Sequence, residues 1–265
     1  MSKTVERAMA WSGLVVIVLT LSGFILAGLL PVPPGADLDP GQIAQFYSAH
    51  PTSTRLGFLL TTVGLGFLAP MTAAIAIAML RIKDAPPVLA VLQIIGGVGV
   101  VTMTVIPTIL MNVAAFRPDR NPMVTQAIND IAWLLFVTPI VLFFFQEVPI
   151  AVAILMDRSR KPVFPRWVAY ANLWIPLTFL PALLPYFFKT GPLAWQGLLV
   201  FYLGLATFGA WVAIMMWALL NASRNHADLV TVAVDQSGTS ARDERAVLPD
   251  QLGCAPVDQR REHHQ

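Results

Sequence analysis

The chain has 265 residues, of which 56% are hydrophobic and only 12% are charged, and its net charge is +2. Soluble domains carry about twice that charged fraction, so the composition excludes an ordinary soluble domain and predicts an integral membrane protein. The basic residues occur singly or in short groups and form no continuous basic stripe, which argues against a nucleic-acid partner.

The first apolar run covers residues 9–30 and follows Lys3 and Arg7. A secretory signal peptide has an apolar core of about 7–15 residues and then a small-residue cleavage site. Here the run is longer, and the sequence PVPPGAD follows it. We therefore expect an uncleaved first membrane span.

Long apolar segments predict an all-α fold with six transmembrane helices, because a spanning helix needs about 20 apolar residues. The predicted spans are residues 9–30, 55–80, 88–111, 131–156, 166–188 and 193–220. Pro122 and Pro192 fall at two predicted first helical turns, where the missing N–H is tolerated. We expect residues 1–221 to form the membrane domain. Residues 222–265 are polar, mixed in charge and poor in aromatics, which predicts a disordered cytosolic tail.

The loop charges predict the orientation of the chain. Basic residues concentrate in the loops on the N-terminal side of the membrane, with the sequence DRSRK at 157–161 as the strongest contribution. By the positive-inside rule, both termini are cytosolic. We expect a multi-pass protein of the plasma membrane, which in a bacterium is the inner membrane.

The first outer loop, residues 31–54, contains the sequence DPGQIAQFYSAH. Asp39 is a suitable cap and Pro40 suits a first turn, so this sequence predicts a short helix. Ile43, Phe46 and Tyr47 share one face of it. An amphipathic helix on the bilayer surface is one interpretation, and a lid over an outward-facing opening is the other.

Several kinds of chemistry are excluded by residues that the sequence lacks. His50 is the only histidine before the tail, which excludes a buried bis-histidine haem and a histidine-rich di-iron centre. The chain has no HExxH, P-loop or G-x-S-x-G sequence. We therefore expect no metal, no cofactor and no recognisable catalytic constellation. The sequence GGVG at 96–99 lies inside span three, where small residues favour close helix packing.

One ionisable residue lies deep in a predicted span. Glu147, beside Gln146, is about halfway through span four, and Gln93 on span three and Asn172 on span five lie at similar depth. Polar residues at such depth seldom face lipid, so the four predict a polar pocket inside the bundle. Glu147 has three interpretations: a proton-coupling or substrate-binding carboxylate, a protonated group that only bonds across helices, or the lining of a cytosolic vestibule.

Span four also carries a stripe of residues that leads to this carboxyl. Pro149 removes the hydrogen bond that the Phe145 carbonyl would accept, which predicts a free backbone oxygen one turn away from Glu147. At 3.6 residues per turn, six side chains of this span, Glu147 included, share one face. They are Asn129, Trp133, Phe136, Ile140, Phe143 and Glu147.

A second polar cluster is predicted at the outer mouth of the bundle. Its members are Arg55, Asn112, Arg117, Arg120, Asn129 and Asp130, with Asp119 beside them. An anion or a lipid head group is one possible ligand. The interpretation that we favour is a network of ion pairs between helix ends, because Asp119 and Asp130 offset the arginines.

These features favour a small secondary transporter, or a membrane protein that binds an apolar or lipid-like solute, with Glu147 as its intramembrane carboxyl. The alternative is a non-catalytic accessory or scaffold subunit with membrane protein partners, because the small-residue faces at Gly96–Gly97 and Gly204–Gly209 suit helix–helix contact. A lipid-modifying enzyme ranks third, because no nucleophile or metal site is recognisable.

Overall fold

The computed structural model describes residues 3–224, and every regular element in that range is helical. Six helices are long and apolar enough to cross a membrane, which confirms the predicted number of spans. They are Thr4–Ala27, Pro51–Met79, Val88–Phe116, Pro122–Met156, Arg166–Tyr186 and Leu198–Arg224. The predicted tail begins inside the last helix, because residues 222–224 are still helical, and residues 225–265 lie outside the described part.

Most spans consist of more than one helical segment. In chain order the α-helices are α1 (Lys3–Ala27), α2 (Pro40–Ala49), α3 (Pro51–Gly66), α4 (Leu68–Met79), α5 (Val88–Phe116), α6 (Pro122–Val137), α7 (Val141–Met156), α8 (Arg166–Thr178) and α9 (203–224). A 3-10 helix (Leu180–Tyr186) completes span five, and a π-helix (Leu198–Tyr202) opens span six.

Two helix starts follow directly from local sequence. Asp39 caps α2, accepting from the backbone N–H of Gln42 at 2.9 Å, while the Gln42 side chain accepts from the backbone N–H of Asp39 at 3.0 Å. Asn121 caps α6 through Met123, and Pro122 occupies the first turn as predicted. Both caps satisfy N–H groups that no helical carbonyl can reach.

The predicted start of span six at residue 193 is wrong, because the helix begins at Leu198. Residues 191–197 form turns instead, with Gly191 at a φ of 79°. Within this segment the Trp195 ring stacks on Trp133 at 6.0 Å, and its indole donates to the Pro34 carbonyl. Burial of Trp195 holds the segment against the bundle, so Pro192 precedes the helix by six residues.

Besides a single-residue interruption of span two at Phe67, three spans depart from regular α-helix over several residues, in their interiors or at one end. Span four breaks at residues 138–140, span five tightens into the 3-10 helix, and span six starts as the π-helix. Pro139 lies in the first break, and Pro181 and Pro185 lie in the second. Each proline lacks the N–H that would continue a helical ladder, which explains these two irregularities.

Glycine allows the closest helix contacts. A Cβ on Gly57 of α3 would lie 2.6 Å from the Gly23 carbonyl oxygen of α1, and a Cβ on Gly96 of α5 would lie 2.5 Å from the Phe145 carbonyl carbon of α7. The close packing predicted at Gly96–Gly97 is thus present. At Gly204 and Gly209 nothing lies within 4 Å of such a Cβ, so each of these glycines of α9 has open space beside it in the described chain.

The loop between spans four and five is organised by one carboxylate. Asp157 accepts hydrogen bonds from the Ser159 N–H and hydroxyl at 3.0 and 2.6 Å, and from the Val163 N–H at 2.9 Å. Burial alone would raise the pKa of Asp157, but these hydrogen bonds outweigh it and lower the pKa from its ordinary value. The ionised carboxylate therefore stabilises the folded loop.

Gly57→Ala is expected to destabilise the protein by about 1–3 kcal/mol, because the added methyl group meets the backbone of α1. The measurement is the thermal unfolding midpoint of the purified full chain in detergent. Gly209→Ala is the matched control, since open space surrounds that position. It should leave the midpoint unchanged or raise it slightly. Equal destabilisation by both changes would contradict the close α1–α3 contact.

Asp157→Asn is expected to lower the unfolding midpoint at neutral pH, and the difference from the original chain should shrink as the solution is acidified. A carboxylate with a lowered pKa stabilises the fold above its unfolded pKa, and this stabilisation is lost as the pH falls through the folded pKa. Asp119→Asn is the control, because Asp119 is exposed. A difference independent of pH would show that the Asp157 charge is irrelevant.

Candidate functional site

Glu147 and Gln146 on α7 and Gln93 on α5 are among the polar side chains that the bundle buries almost completely. Glu147 and Gln93 are 0% exposed and Gln146 is 1% exposed. Five of the seven buried side-chain atoms without a hydrogen-bond partner in the described chain belong to these three residues. They are both oxygens of Glu147, the amide oxygen and nitrogen of Gln93, and the amide oxygen of Gln146. We call these three residues the polar cluster.

The glycine contact between α5 and α7 sets the depth of the polar cluster. A Cβ on Gly97 would lie 3.1 Å from the Gln146 amide nitrogen, and Gly96 faces the backbone at residues 145–146. Gln93 lies one turn before these glycines on the same face of α5. Glu147 is the next residue after Gln146. Because the two helices run in opposite directions, Gln93 and Glu147 lie at nearly the same depth.

Within residues 3–224, no basic side chain is positioned to neutralise Glu147. The helices α4 and α5 contain no acidic, basic or histidine residue. On α8 the titratable residues are Arg166 and Tyr170, and both are exposed. An isolated ionised carboxylate in apolar surroundings is very costly, so the site requires either a proton or another cation on the carboxyl.

Asn172, the fourth predicted member of the pocket, has its own hydrogen-bond partners. Its amide oxygen accepts from the Trp211 indole of α9 at 3.0 Å, and its amide nitrogen donates to the Val168 carbonyl at 2.8 Å. The same nitrogen lies 3.4 Å from the Met215 sulfur. Asn172 therefore joins α8 to α9, and no hydrogen bond connects it to the polar cluster.

The carbonyl released by Pro149 is covered by the neighbouring helix. A Cβ on Gly96 would lie 2.8 Å from the Phe145 oxygen, so α5 packs directly against this group. The sequence predicted a free backbone oxygen near Glu147. The structure instead places glycine against it, which shields the oxygen from lipid.

An apolar cavity of about 90 Å³ lies beside the polar cluster, where the irregular segments of spans four, five and six meet. Its walls also include α1, α3 and α5. It is lined by Thr20, Phe24, Leu65, Met103, Thr104, Phe136, Val137, Ile140, Phe143, Phe179, Ala182, Val200, Phe201, Gly204, Leu205 and Phe208. The predicted stripe on span four connects the two features, because Phe143 lines the cavity and Glu147 follows one turn later.

Two hydrogen bonds join spans four, five and six next to the cavity. The Thr138 hydroxyl lies 2.8 Å from the Tyr186 hydroxyl, which links the break in span four to the 3-10 helix. The Thr178 hydroxyl donates to Thr207 at 3.0 Å, which links spans five and six. The Phe143 and Phe179 rings, which both line the cavity, pack against each other with their centroids 4.5 Å apart.

A second apolar space, a groove of about 280 Å³, lies between α4 and α5. Thr72 and Thr102 are its hydroxyl-bearing residues, and the remaining lining is aliphatic. The Thr72 hydroxyl also accepts a hydrogen bond from the Gln146 amide at 3.4 Å. The groove therefore reaches a side chain that directly contacts the polar cluster.

The predicted outer-mouth residues are held by hydrogen bonds rather than ion pairs. The Asn112 amide donates to the Arg55 carbonyl, Arg55 donates to the Pro51 carbonyl, and Arg120 donates to the Val113 carbonyl. Arg117 is exposed. In residues 3–224 the only ion pair joins Arg81 to Glu6, so the expected ion-pair network at the outer mouth is wrong. Arg55 and Arg120 donate hydrogen bonds to nearby backbone carbonyls instead.

Asn129 and Asp130 belong to a buried contact between α6 and α2. The Asn129 oxygen accepts from the Tyr47 hydroxyl at 2.9 Å, and its amide donates to the Asp130 carboxylate at 3.2 Å. Burial and the nearby Asp130 carboxylate raise the pKa of Tyr47, which keeps its hydroxyl a neutral donor. This contact fixes α2 against α6.

Sequence reasoning located the polar cluster but missed the cavity. The sequence signal was present in the prolines of spans four and five, which mark the irregular segments around it. The residues contributed by spans one and six, such as Thr20 and Gly204, carried no such signal. No group of three or more histidine, cysteine, aspartate or glutamate side chains able to hold a metal ion occurs in the described range.

Comparisons with protein-family models, with curated proteins and with solved structures find no match to this chain. Its functional interpretation therefore depends on the polar cluster and the cavity themselves.

Glu147→Met is expected to stabilise the protein by about 1–3 kcal/mol, because it replaces an unpartnered buried carboxyl with an apolar side chain of similar length. Asn172→Leu is the matched comparison. It should destabilise by about 1–3 kcal/mol, because it leaves the Trp211 indole unpaired. Chemical unfolding in detergent measures both. Destabilisation by Glu147→Met would show that the carboxyl is a satisfied structural group.

Proposed function

We propose that this protein is a small secondary transporter for an apolar, lipid-like solute, in which Glu147 carries a coupling proton. The observation that carries the proposal is the complete burial of Glu147, with neither carboxyl oxygen hydrogen-bonded to any described residue. Ionisable residues inside membrane bundles are costly, and they commonly belong to proton relays and substrate pathways.

The hydrogen-bonding inventory of the polar cluster favours a proton as the species that Glu147 carries. Its unpartnered atoms comprise four oxygens and one nitrogen, so acceptors exceed donors. A proton on Glu147 supplies a further donor, and the amide oxygens of Gln93 and Gln146 are acceptors at the same depth. A purely structural carboxyl would be expected to bond to a neighbouring helix, as Asn172 does.

The interrupted helices support the transporter half of the proposal. Broken spans that meet inside a bundle are a feature of secondary transporters, because they form binding sites and allow helix segments to move. Here the irregular parts of spans four, five and six converge on one apolar cavity. Phe143 places that cavity one helical turn from Glu147, close enough for packing changes to reach the carboxyl.

One observation favours the alternative function of an accessory subunit. Gly204 and Gly209 of α9 each have open space beside them in the described chain. Small residues let another membrane helix approach closely. Purification in mild detergent distinguishes the two functions, since an accessory subunit should be recovered with a partner, whereas a transporter of this design can act alone.

The transport test uses the full chain in liposomes and an uncharged alkyl glycoside with a fluorescent nitrobenzoxadiazole group on its chain, whose movement between leaflets is followed by dithionite quenching. A pH gradient is expected to accelerate this movement in the presence of the protein. Glu147→Gln should abolish the dependence on the gradient because it cannot exchange the proton. Glu6→Gln is the matched control, since Glu6 pairs with Arg81 away from the polar cluster.

Retention of the gradient dependence by Glu147→Gln would contradict the coupling role of the carboxyl. Movement no faster than in protein-free liposomes, for the original chain under either condition, would contradict transport of this class of solute.

A further inference from the structure

We propose that the cavity between the irregular segments binds the alkyl chain of a neutral amphiphile, and that an uncharged oxygen of this ligand bonds to the Thr20 hydroxyl. This assignment names the solute class of the transporter and rests on the proposed function for its role, although binding itself can be tested alone.

The cavity lining selects for an apolar and uncharged ligand. Phenylalanine is its commonest lining residue, as at Phe24, Phe143, Phe179 and Phe201, and no charged residue lines it. A charged group would have no counter-charge there and would lose its hydration. Alkyl chains form the surroundings of the spans, so a chain-bearing molecule has direct access to the protein from the bilayer.

Thr20 supplies the one polar contact that the cavity offers. Its side chain is 5% exposed, and its hydroxyl has no hydrogen-bond partner among residues 3–224. Thr104, the other hydroxyl in the lining, already donates to the Val100 carbonyl at 2.8 Å. A buried hydroxyl without a partner favours a ligand that brings a matching oxygen, because pairing removes the penalty of the unmade bond.

The size of the cavity favours a slender chain over a bulky ring system. Its volume of about 90 Å³ is smaller than the roughly 150 Å³ of an apolar cavity that admits benzene. A run of a few methylene groups fits such a space. The rest of a longer chain would extend past Gly204, where open space interrupts the wall.

The wall of the cavity is made of backbone that can adjust to a ligand. The π-helix at Leu198–Tyr202 and the 3-10 helix at Leu180–Tyr186 lie on two sides of it. Both helix types have weaker hydrogen-bond geometry than a regular α-helix, and π-type turns are frequent at functional sites. The same segments contribute Ala182, Val200 and Phe201 to the lining.

The test uses a photoreactive long-chain fatty alcohol with a diazirine in its chain, added to the full protein in lipid nanodiscs. After illumination, mass spectrometry locates the labelled residues. We expect enrichment on lining residues such as Phe143 and Phe201. Gly204→Leu should fill the space and reduce this labelling by about tenfold, which corresponds to a loss of 1.4 kcal/mol. Gly209→Leu is the matched control and should label like the original chain.

Thr20→Val tests the polar contact separately, because it keeps the shape of the side chain and removes the hydroxyl. It should reduce labelling by the alcohol several-fold and leave labelling by the corresponding diazirine alkane unchanged. Ala182→Leu is a second cavity-filling variant, in case Gly204→Leu fails to fold. Equal labelling in both cavity-filling variants and the original chain, or labels spread evenly over the lipid-facing surface, would overturn the proposal.

Failure of this inference and failure of the proposed function have different signatures. If the cavity is not the solute site, the labelling pattern changes in neither variant while Glu147→Gln still removes the pH dependence of glycoside movement. If the coupling role is wrong, the fatty alcohol still labels the cavity lining while Glu147→Gln leaves the glycoside movement unaltered.

Discussion

The structure depends on the rule that every backbone N–H and C=O group in an apolar layer must find its partner inside the protein. Regular helices meet this rule by themselves, so irregular backbone is tolerated only where protein covers it. In this chain the break at residues 138–140, the 3-10 helix and the π-helix come together around one internal cavity. Hydroxyl pairs such as Thr138–Tyr186 bind the irregular segments to one another.

Buried polar side chains also need hydrogen-bond partners, and the side chains of the polar cluster are unusual because they lack them. Asn172 shows that this bundle can satisfy a buried amide completely, through Trp211 and Val168. Glu147 and Gln93 are buried equally well and have no bonded partner. Proteins retain such costly groups mainly at functional sites, where local cost is offset by stability elsewhere. The α1–α3 glycine contact is one such source of stability, and the proposed coupling role gives the cost a reason.

Much of the architecture could be predicted from the sequence, because hydropathy and capping act locally. Six spans, Pro122 in the first turn of α6 and the close packing at Gly96–Gly97 follow from residue types within a few turns. The start of span six could not be predicted, because burial of Trp195 against Trp133 involves distant parts of the chain. Depth along a helix located Glu147 and Gln93, but only packing reveals that Asn172 pairs elsewhere. The cavity could not be predicted for the same reason, since all six spans contribute to it.

Infrared spectroscopy of the full protein is the most direct test of the claim that Glu147 carries a proton. At neutral pH the original chain should show the carbonyl stretching band of a protonated carboxyl group in apolar surroundings. Glu147→Gln should lack that band, while Glu6→Gln should retain it. A difference spectrum that instead shows carboxylate bands for Glu147, or no change on substitution, would contradict the account.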